Sequence, residues 1–321
     1  MIKLLIQIPC YNEEETLPVT LSHLPREVRG IDRVEWLVVD DGSTDNTAEL
    51  ARENGVDHIV RFPVRRGLAK AFQAGIDACL QLGADIIVNT DADNQYRADD
   101  IPILISPILR GFADMVIGSR PISEIRQFSS FKKIMQEVGS YVVRLVSNTD
   151  IPDAPSGFRA MSRDAAMRLN VFSSYTYTLE TIIQAGQKGM TVQSVPVRVN
   201  PQLRPSRLVT GNLSYILRSI ITILRIFVVY RPFRFFASLG SAIFFTGFLL
   251  GLRFLYYYFV GEGSGKLQSL ILSSILIGAG FQTILAAFVV DLLSVNRKLL
   301  EDIQYRLKKI EFGHVRKVSN G

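Results

Sequence analysis

Asp85-Ile86-Ile87-Val88-Asn89-Thr90-Asp91-Ala92-Asp93-Asn94-Gln95 runs from a short apolar segment straight into two carboxylates at positions i and i+2. Gly83 closes the segment before it, Leu68–Leu82, whose spacing predicts a helix. A helix followed by a buried strand of this length is the repeating unit of a parallel sheet. The same unit recurs outward in both directions. Strands are expected at Leu4–Ile8, Glu35–Val39, Ile59–Phe62 and Met115–Gly118. Helices are expected at Glu13–Leu24, Asp45–Asn54 (capped by Ser43 or Thr44), Ile101–Arg110, Phe131–Val146 and Thr178–Gln187. Thr191–Val199 reads as a strand, and Pro196 inside it argues for the sheet edge. The implied fold is α/β, with a mostly parallel, doubly wound sheet. In such sheets ligands bind beyond the carboxyl ends of the strands, where the charged motifs of this chain fall.

The composition changes after the first two hundred residues. Phe233–Leu293 is almost wholly apolar and lifts the mean hydropathy to +0.21. Phe235–Leu252 is an uncharged stretch of 18 residues and Leu267–Val290 one of 24. Each is long enough to cross a hydrocarbon core of ~30 Å. The polar turn Gly261–Lys266 between them makes the pair a helical hairpin. Arg253 is expected to snorkel to the interface beside Tyr256, Tyr257 and Tyr258. The net charge is +6. Much of the excess flanks the apolar region, in Arg204, Arg207, Arg218, Arg225, Arg231 and Arg234 before it and Arg297, Lys298, Arg306, Lys308, Lys309, Arg316 and Lys317 after it. That placement fits lipid headgroups, and by the positive-inside rule it puts both termini in the cytoplasm. A nucleic-acid partner is not expected, because no basic face is interleaved with aromatics. Leu213–Val229 reads as an amphipathic helix on the membrane surface, or alternatively as one packed on the soluble domain. The two cysteines, Cys10 and Cys79, suggest no disulfide framework. Ile2–Ile8 reads as a first strand, not as a signal peptide. The expected division is an α/β domain 1–208, a juxtamembrane helix 209–232, two spans within 233–293 and a basic cytoplasmic tail 294–321.

Asp91 and Asp93 after a buried strand can share one hard cation, with Gln95 as a further oxygen donor. Such a pair alone also describes a solvated acidic turn. It is accompanied by Pro9-Cys10-Tyr11-Asn12-Glu13-Glu14 after the first strand and Asp40-Asp41-Gly42-Ser43-Thr44-Asp45 after the second. A carboxylate there can accept hydrogen bonds from a base or ribose, and Gly42 permits a sharp turn.

These three motifs resemble those of the family 2 glycosyltransferases of the GT-A, Rossmann-like fold. Asp153-Ala154-Pro155-Ser156-Gly157-Phe158-Arg159 is similar to a string found in the polyprenyl-phosphate sugar synthases of that family. The resemblance spans roughly Ile2 to Leu208, and the two-span tail resembles bacterial members. It implies inverting transfer of a sugar from a nucleotide diphosphate to a polyprenyl phosphate at the cytoplasmic membrane face. Pro9, Tyr11, Glu13 and Asp40 would then line the nucleotide pocket. Asp91, Asp93 and Gln95 would hold Mg2+ or Mn2+, with Asp91 also near the ribose or diphosphate. Arg120 matches an arginine that contacts the acceptor phosphate, Lys133 a second basic residue there, and Ser156 and Arg159 the acceptor-side motif. Asp153 would orient the acceptor side or the sugar. Glu180 stands where other family members place a catalytic base. Arg204 and Arg207 resemble a basic loop that closes over the diphosphate. They depart from the usual glycine-containing loop ending in lysine, and they also suit anionic lipid.

A phosphate acceptor agrees with this residue set. Transfer to a hydroxyl needs a general base, whereas a phosphate monoester, with a second pKa of ~6, is already ionised near neutral pH. It needs cations to hold two anionic groups together. Processive polysaccharide synthases of the same fold carry Gln-x-x-Arg-Trp on an interfacial helix. The single tryptophan here is Trp36, in the second strand. A non-catalytic scaffold or nucleotide-sugar sensor is disfavoured by intact Asp91, Asp93 and Gln95. The base, the sugar and the lipid length stay open, and self-association through the hairpins or interfacial helices is a possible arrangement.

Overall fold

A computed structural model describes residues 1–121, 140–141, 143–144, 146–171, 177–201, 225, 228–261, 265 and 267–318, the last five of these in backbone only. Lys133, Arg204, Arg207, most of the expected helix Phe131–Val146 and nearly all of Leu213–Val229 lie outside the described residues. The chain divides into two compact units, Met1–Ser219 with Asp302–Gly321, and Ile220–Glu301.

The first unit is built on a sheet with seven strands among the described residues. In chain order these are β1 (Lys3–Cys10), β2 (Arg33–Asp40), β3 (His58–Arg61), β4 (Ile86–Asn89), β5 (Met115–Ser119), β6 (Arg159–Ser162) and β7 (Val192–Pro196). The spatial order is β3-β2-β1-β4-β6-β5-β7. β1 pairs in parallel with β2 and β4, β2 with β3, and β5 with β7. β6 is antiparallel to both of its neighbours. Strands β1, β2, β4 and β5 therefore all end at one edge of the sheet, and β6 begins there. That reversal brings Asp153–Phe158 to the same edge as the other motifs. β7 ends the sheet, as Pro196 predicts.

The central strands are apolar on both faces because helices cover both. On one face Leu4, Ile6 and Ile8 pack with Leu17 and Leu21 of α1 (Leu17–His23) and with Ile101, Leu104 and Ile105 of α4 (Ile101–Leu109). The opposite face is covered by α3 (Leu68–Gln81), whose Phe72, Ile76, Cys79 and Leu80 are buried. Two helices start later than their sequence suggests. Residues 13–16 form a turn in which Glu13 O accepts from Thr16 N and Leu17 N, so α1 begins at Leu17. In α2 (Thr47–Glu53) the Thr47 N–H is taken by Asp45 Oδ1 at 3.0 Å, not by Ser43 or Thr44. Ser43 Oγ instead accepts from Asn12 N at 2.9 Å. After β6 come α5 (Arg163–Arg168) and α6 (Thr178–Gln187).

The second unit holds α7 (Pro232–Phe259) and most of α8 (Leu267–Val318). Both are long and apolar enough to cross a membrane, each holding an 18-residue window with a mean hydropathy of 1.9 in α7 and 2.0 in α8. They pack antiparallel through small residues, as helices do where lipid offers no hydrophobic drive between them. A Cβ on Gly280 would fall 2.5 Å from Phe244 N, and one on Gly247 2.8 Å from Ile277 N. Ser273 Oγ donates to Gly247 O at 2.7 Å. Outward-facing side chains such as Phe245, Leu249, Ile275 and Phe288 are exposed.

The sequence reads residues 294–321 as a basic tail, but α8 runs through them without a break to Val318. From Asp302 onward it belongs to the first unit. Tyr305 Oη donates to Asp164 Oδ1 at 2.6 Å, Lys308 Nζ pairs with Asp77 Oδ1 at 3.1 Å, and Arg163 Nη2 donates to Phe312 O at 2.9 Å. The side chain of Phe312 is buried. The stretch from Asp302 to Val318 is thus helical, and Tyr305, Lys308 and Phe312 form its docked side.

Candidate active site

The edge where the parallel strands end carries almost all the chemistry. β4 closes on Asn89, which is fully buried. Its side chain accepts from Gln7 Nε2 at 2.9 Å and donates to Gly157 O at 2.8 Å and Tyr177 Oη at 2.9 Å. Tyr177 in turn stacks on Phe72, with ring centroids 3.9 Å apart. This buried network ties β1, β4, the 153–158 segment and the start of α6 together directly beneath Asp91. Sequence reasoning missed Gln7, Asn89 and Tyr177. A polar residue inside an apolar run was the one available signal.

Asp91 and Asp93 are half-buried. The Asp91 carboxyl is pushed well above the usual range, first by loss of water and second by the charge of Asp93; Arg120 and Arg159 oppose the shift. Two carboxylates that disfavour each other's ionisation, both oxygen donors, form a set that a hard divalent cation fits. Among the described residues no group of three His, Cys, Asp or Glu is arranged to hold a metal. A cation on this pair keeps positions open for water and for substrate oxygens. Gly157 makes room for the pair, since a Cβ there would lie 2.7 Å from Asp91 Oδ2.

The turn itself is held from two sides. Asp93 Oδ1 accepts from Gln95 N at 3.1 Å. Asn94 is left-handed, with φ 56°, and is buried. Asn200 Nδ2 donates to Asn94 O at 3.0 Å, and Asn200 N donates to Gln95 O at 2.8 Å. Arg198 Nε and Nη2 both donate to Asp100 Oδ1, at 2.9 and 2.5 Å, and Arg198 N donates to Asp100 Oδ2 at 2.7 Å. The segment after β7 thus clasps the acidic turn, a role for Asn200 that no local sequence pattern announces.

On the nucleotide side, the first two motifs are knitted together. Thr44 N donates to Asn12 Oδ1 at 2.9 Å, and Glu13 N to Thr47 Oγ1 at 2.9 Å. Glu13 Oε2 accepts from Thr16 Oγ1 at 2.7 Å. Asp40 is buried, accepts from Ser43 N at 2.8 Å and lies 3.0 Å from Arg61 Nε. Asp41 accepts from Arg66 N and Gly67 N at 2.7 and 2.9 Å, holding the loop that enters α3. Gly42 has φ +71°, and a Cβ there would meet the Val64 carbonyl carbon at 2.6 Å, so glycine is required. Tyr11 is half-buried, with the Arg65 guanidinium 4.1 Å from its ring centroid. Pro9 is buried within β1, opposite Val39. The Cys10 thiol, buried beside Glu13 and Asp40, is pushed well above its ordinary pKa and stays protonated.

On the acceptor side, Arg120 follows β5 and meets Asp153. Arg120 Nε and Nη2 donate to the two Asp153 oxygens at 2.7 and 2.9 Å, and Arg120 N also reaches Asp153 Oδ2 at 3.1 Å. Asp153 is fully buried and the Arg120 side chain is 9% exposed. Arg120 also lies over the Tyr96 ring at 5.9 Å. Burial, foremost, pushes the Tyr96 hydroxyl up to about 12, so it stays neutral and accepts from Gly157 N at 3.0 Å. Ser156 and Arg159 are buried to the last atom. Arg159 donates to Ser156 O, to Thr178 O and to Thr181 Oγ1. It is a buried guanidinium behind Asp91, anchoring α6, and does not face the open edge. Glu180, in the first turn of α6, accepts from Gln184 Nε2 at 3.4 Å.

The sequence profile of Glycosyl transferase family 2 matches residues 5–169, slightly more than half of the chain. The chain belongs to glycosyl transferase family 2. It is a glycosyltransferase whose relatives include polyprenyl-phosphate sugar synthases. An undecaprenyl-phosphate mannosyltransferase of Micrococcus luteus is 30% identical over 220 residues, covering 65% of this chain and 88% of that one. A polyprenol monophosphomannose synthase of Mycolicibacterium smegmatis is 29% identical over 204 residues, covering 60% and 76%. Among solved structures, glucosyl-3-phosphoglycerate synthase of Mycobacterium tuberculosis with phosphoglyceric acid superposes with a TM-score of 0.54 at 20% identity, covering 71% of this chain and 79% of that one. The same enzyme with Mn2+, UDP and glucosyl-3-phosphoglycerate gives a TM-score of 0.52 at 20% identity, with the same coverage. These neighbours establish the GT-A fold for the family 2 domain.

Proposed function

We propose that this glycosyltransferase moves a hexose from a uridine or guanosine diphosphate sugar onto a polyprenyl phosphate at the cytoplasmic face of a membrane. One observation carries the reading: the acidic pair Asp91 and Asp93 and the guanidinium of Arg120 share one sheet edge, in a chain that also has two long apolar helices. The names of the relatives support it, and the basic flanks of the hairpin support cytoplasmic termini.

In this reading Tyr11, Glu13 and Asp40 hold the nucleoside on the β1–β2 side. Asp91, Asp93 and Gln95 would hold Mg2+ or Mn2+, which supplies charge neutralisation for the departing diphosphate. Asp153 engages the Nε–Nη2 edge of Arg120, fixes its plane and turns the Nη1 edge away from itself. That edge receives the acceptor phosphate. A phosphate oxygen attacks the anomeric carbon opposite the diphosphate, the bond from that carbon to the diphosphate oxygen breaks, and configuration inverts. No side chain need remove a proton, because the acceptor is ionised before it binds.

The test is transfer of label from UDP-glucose, UDP-N-acetylglucosamine or GDP-mannose to undecaprenyl phosphate with Mg2+ or Mn2+, counted in the organic phase. Label with one donor, lost in Asp93→Ala, is the expected result. Metal-dependent nucleotide binding with no lipid-soluble label from any donor overturns the polyprenyl-phosphate acceptor.

A further inference from the structure

Tyr96 directly follows the acidic turn, and its side chain leaves that turn for the interior. The ring stacks on Phe158, with centroids 5.1 Å apart and planes at 17°. A phenylalanine would supply that stack equally well. The hydroxyl is the additional group, and a buried hydroxyl needs a partner. It accepts from Gly157 N at 3.0 Å, and Ser156 Oγ stands 3.5 Å from it. The Gly157 residue is held on its other side too, where Asn89 Nδ2 donates to Gly157 O at 2.8 Å. Asp91 lies against its Cα, since a Cβ there would fall 2.7 Å from Asp91 Oδ2 and 2.8 Å from Oδ1. The acidic turn therefore meets one glycine of the acceptor-side segment twice, by close packing through Asp91 and by a hydrogen bond through Tyr96.

That glycine is one turn away from Asp153. Ser156 N donates to Asp153 O at 3.2 Å, which closes residues 153–156. Asp153 in turn holds Arg120 Nε and Nη2 at 2.7 and 2.9 Å. The Arg120 guanidinium also lies 5.9 Å from the centroid of the Tyr96 ring. Tyr96 is tied to its own turn by backbone, through a bridge to Val199 and the donation of Asn200 Nδ2 to Tyr96 O at 3.4 Å. Ring and turn therefore move together.

We propose that the Tyr96 hydroxyl is a positioning group that couples the turn carrying Asp91, Asp93 and Gln95 to the plane of Arg120, so that metal and nucleotide on the turn prepare the acceptor-phosphate site. The inference rests on the roles proposed above for the acidic pair and for Arg120. Tyr96 acts through Gly157 and Asp153 and touches neither substrate. Such coupling is reciprocal, so each ligand changes the affinity of the other by the same factor.

The test measures binding of undecaprenyl phosphate to the full-length protein in nanodiscs, without and with Mn2+ and saturating UDP or GDP, whichever the wild type binds. In the wild type the affinity for the lipid phosphate is expected to rise by at least about fivefold, the lower end of typical couplings. Tyr96→Phe keeps the stack and is expected to bring that ratio close to one. Phe158→Leu keeps the hydroxyl and loosens the stack, so it should lower the unfolding midpoint and retain the ratio. A ratio near one in the wild type, a ratio retained in Tyr96→Phe, or a ratio lost alike in both variants overturns the coupling role. A second measurement needs no variant. Amide hydrogen exchange in residues 153–158 of the wild type should slow when Mn2+ and nucleotide bind without lipid, because the turn they occupy holds the Gly157 N–H. Unchanged exchange there overturns the proposal even where Tyr96→Phe fails to fold. Wild-type protein that binds Mn2+ and nucleotide but no undecaprenyl phosphate overturns the acceptor reading instead, and the coupling with it.

Discussion

Arg120 and Asp153 are 33 residues apart in the chain, yet their side chains form a bidentate ion pair at 2.7 and 2.9 Å, with Asp153 buried to the last atom. The pair arises because β6 is antiparallel between β4 and β5, so the segment entering β6 runs alongside the residue leaving β5. A planar guanidinium held on two oxygens is oriented as well as neutralised.

Asp153→Asn should therefore cost both stability and acceptor use. Removing one partner of a buried pair typically destabilises by about 3–5 kcal/mol, because the other charge is left uncompensated. If the variant folds, KM for the lipid phosphate should rise more than KM for the sugar nucleotide. Arg120→Lys should show the same split, since an ammonium cannot reproduce the fork. Steady-state kinetics with each substrate varied in turn separates the two constants. Equal effects on both would remove the acceptor assignment.

Asp93→Asn should act in opposite directions on fold and function. Asp93 raises the Asp91 carboxyl, second only to burial. Removing that charge relieves the metal-free protein, and a relief of about 1 kcal/mol would raise its Tm by about 2–4 °C for a domain of this size. Metal-dependent nucleotide binding should be lost in the same variant. Thermal unfolding with chelator and nucleotide titration with Mn2+ check the two halves separately.

Asn200→Ala should weaken the acidic turn without touching a ligand. It removes the bond from Asn200 Nδ2 to Asn94 O, while the backbone bond to Gln95 O survives. The expected stability loss is about 1 kcal/mol. The concentration of metal giving half-maximal activity should rise, with kcat at saturating metal little changed. Asn200→Asp keeps one acceptor but not the donor, so it should not rescue.

Much of this was legible in the sequence because parallel strands covered on both faces read as apolar runs, and their carboxyl-end loops carry the charged motifs. β1, β2, β4 and the acidic turn follow from that alone. β6 did not. Arg159-Ala160-Met161-Ser162 has no apolar run, and it is a strand because β4 and β5 supply its partners. Arg159 falls in the string matched to the acceptor side, and in the structure it is buried and donates to the carbonyls of Ser156 and Thr178. The function of Asp153 was undefined for the same reason, since its partner Arg120 is brought near only by the sheet. The last turns of α8 read as a tail because charge runs look solvated. Pairs such as Arg306 with Asp302 at 2.8 Å, four residues apart, instead support a helix.

Acid should unfold the catalytic unit partly through Glu35. Burial alone would raise its carboxyl, but hydrogen bonds from Lys3 and His58 and the charges of Lys3 and Arg33 hold it below its ordinary value. A depressed folded pKa stabilises above the unfolded value of ~4.3, and that contribution is lost as pH falls through the folded value. Asp57 and Asp100, also depressed, act in the same direction. Denaturant midpoints measured from about pH 6 to pH 3 should fall steeply at the acid end. Glu35→Gln should lower the plateau and flatten that fall. An unchanged slope would show that Glu35 titrates alike in both states.

The hairpin should be more sensitive to size at Gly280 than to the hydrogen bond at Ser273. A side chain at Gly280 meets backbone, with Phe244 N at 2.5 Å and Gly240 O at 2.8 Å from the first added carbon. Neither atom can rotate away, so α7 and α8 must part, and overpacking of this kind costs about 1–3 kcal/mol. Ser273→Ala removes one bond to Gly247 O, and such bonds average only about 0.6 kcal/mol in a membrane because the separated helices find other partners. Gly280→Leu should therefore lower the unfolding midpoint in mixed detergent by more than Ser273→Ala. Gly278→Leu is the control, because a Cβ there meets nothing within 4 Å. If Gly278→Leu and Gly280→Leu behave alike, the loss reflects helix propensity or lipid contact, and close approach of the two helices is not what holds the hairpin together.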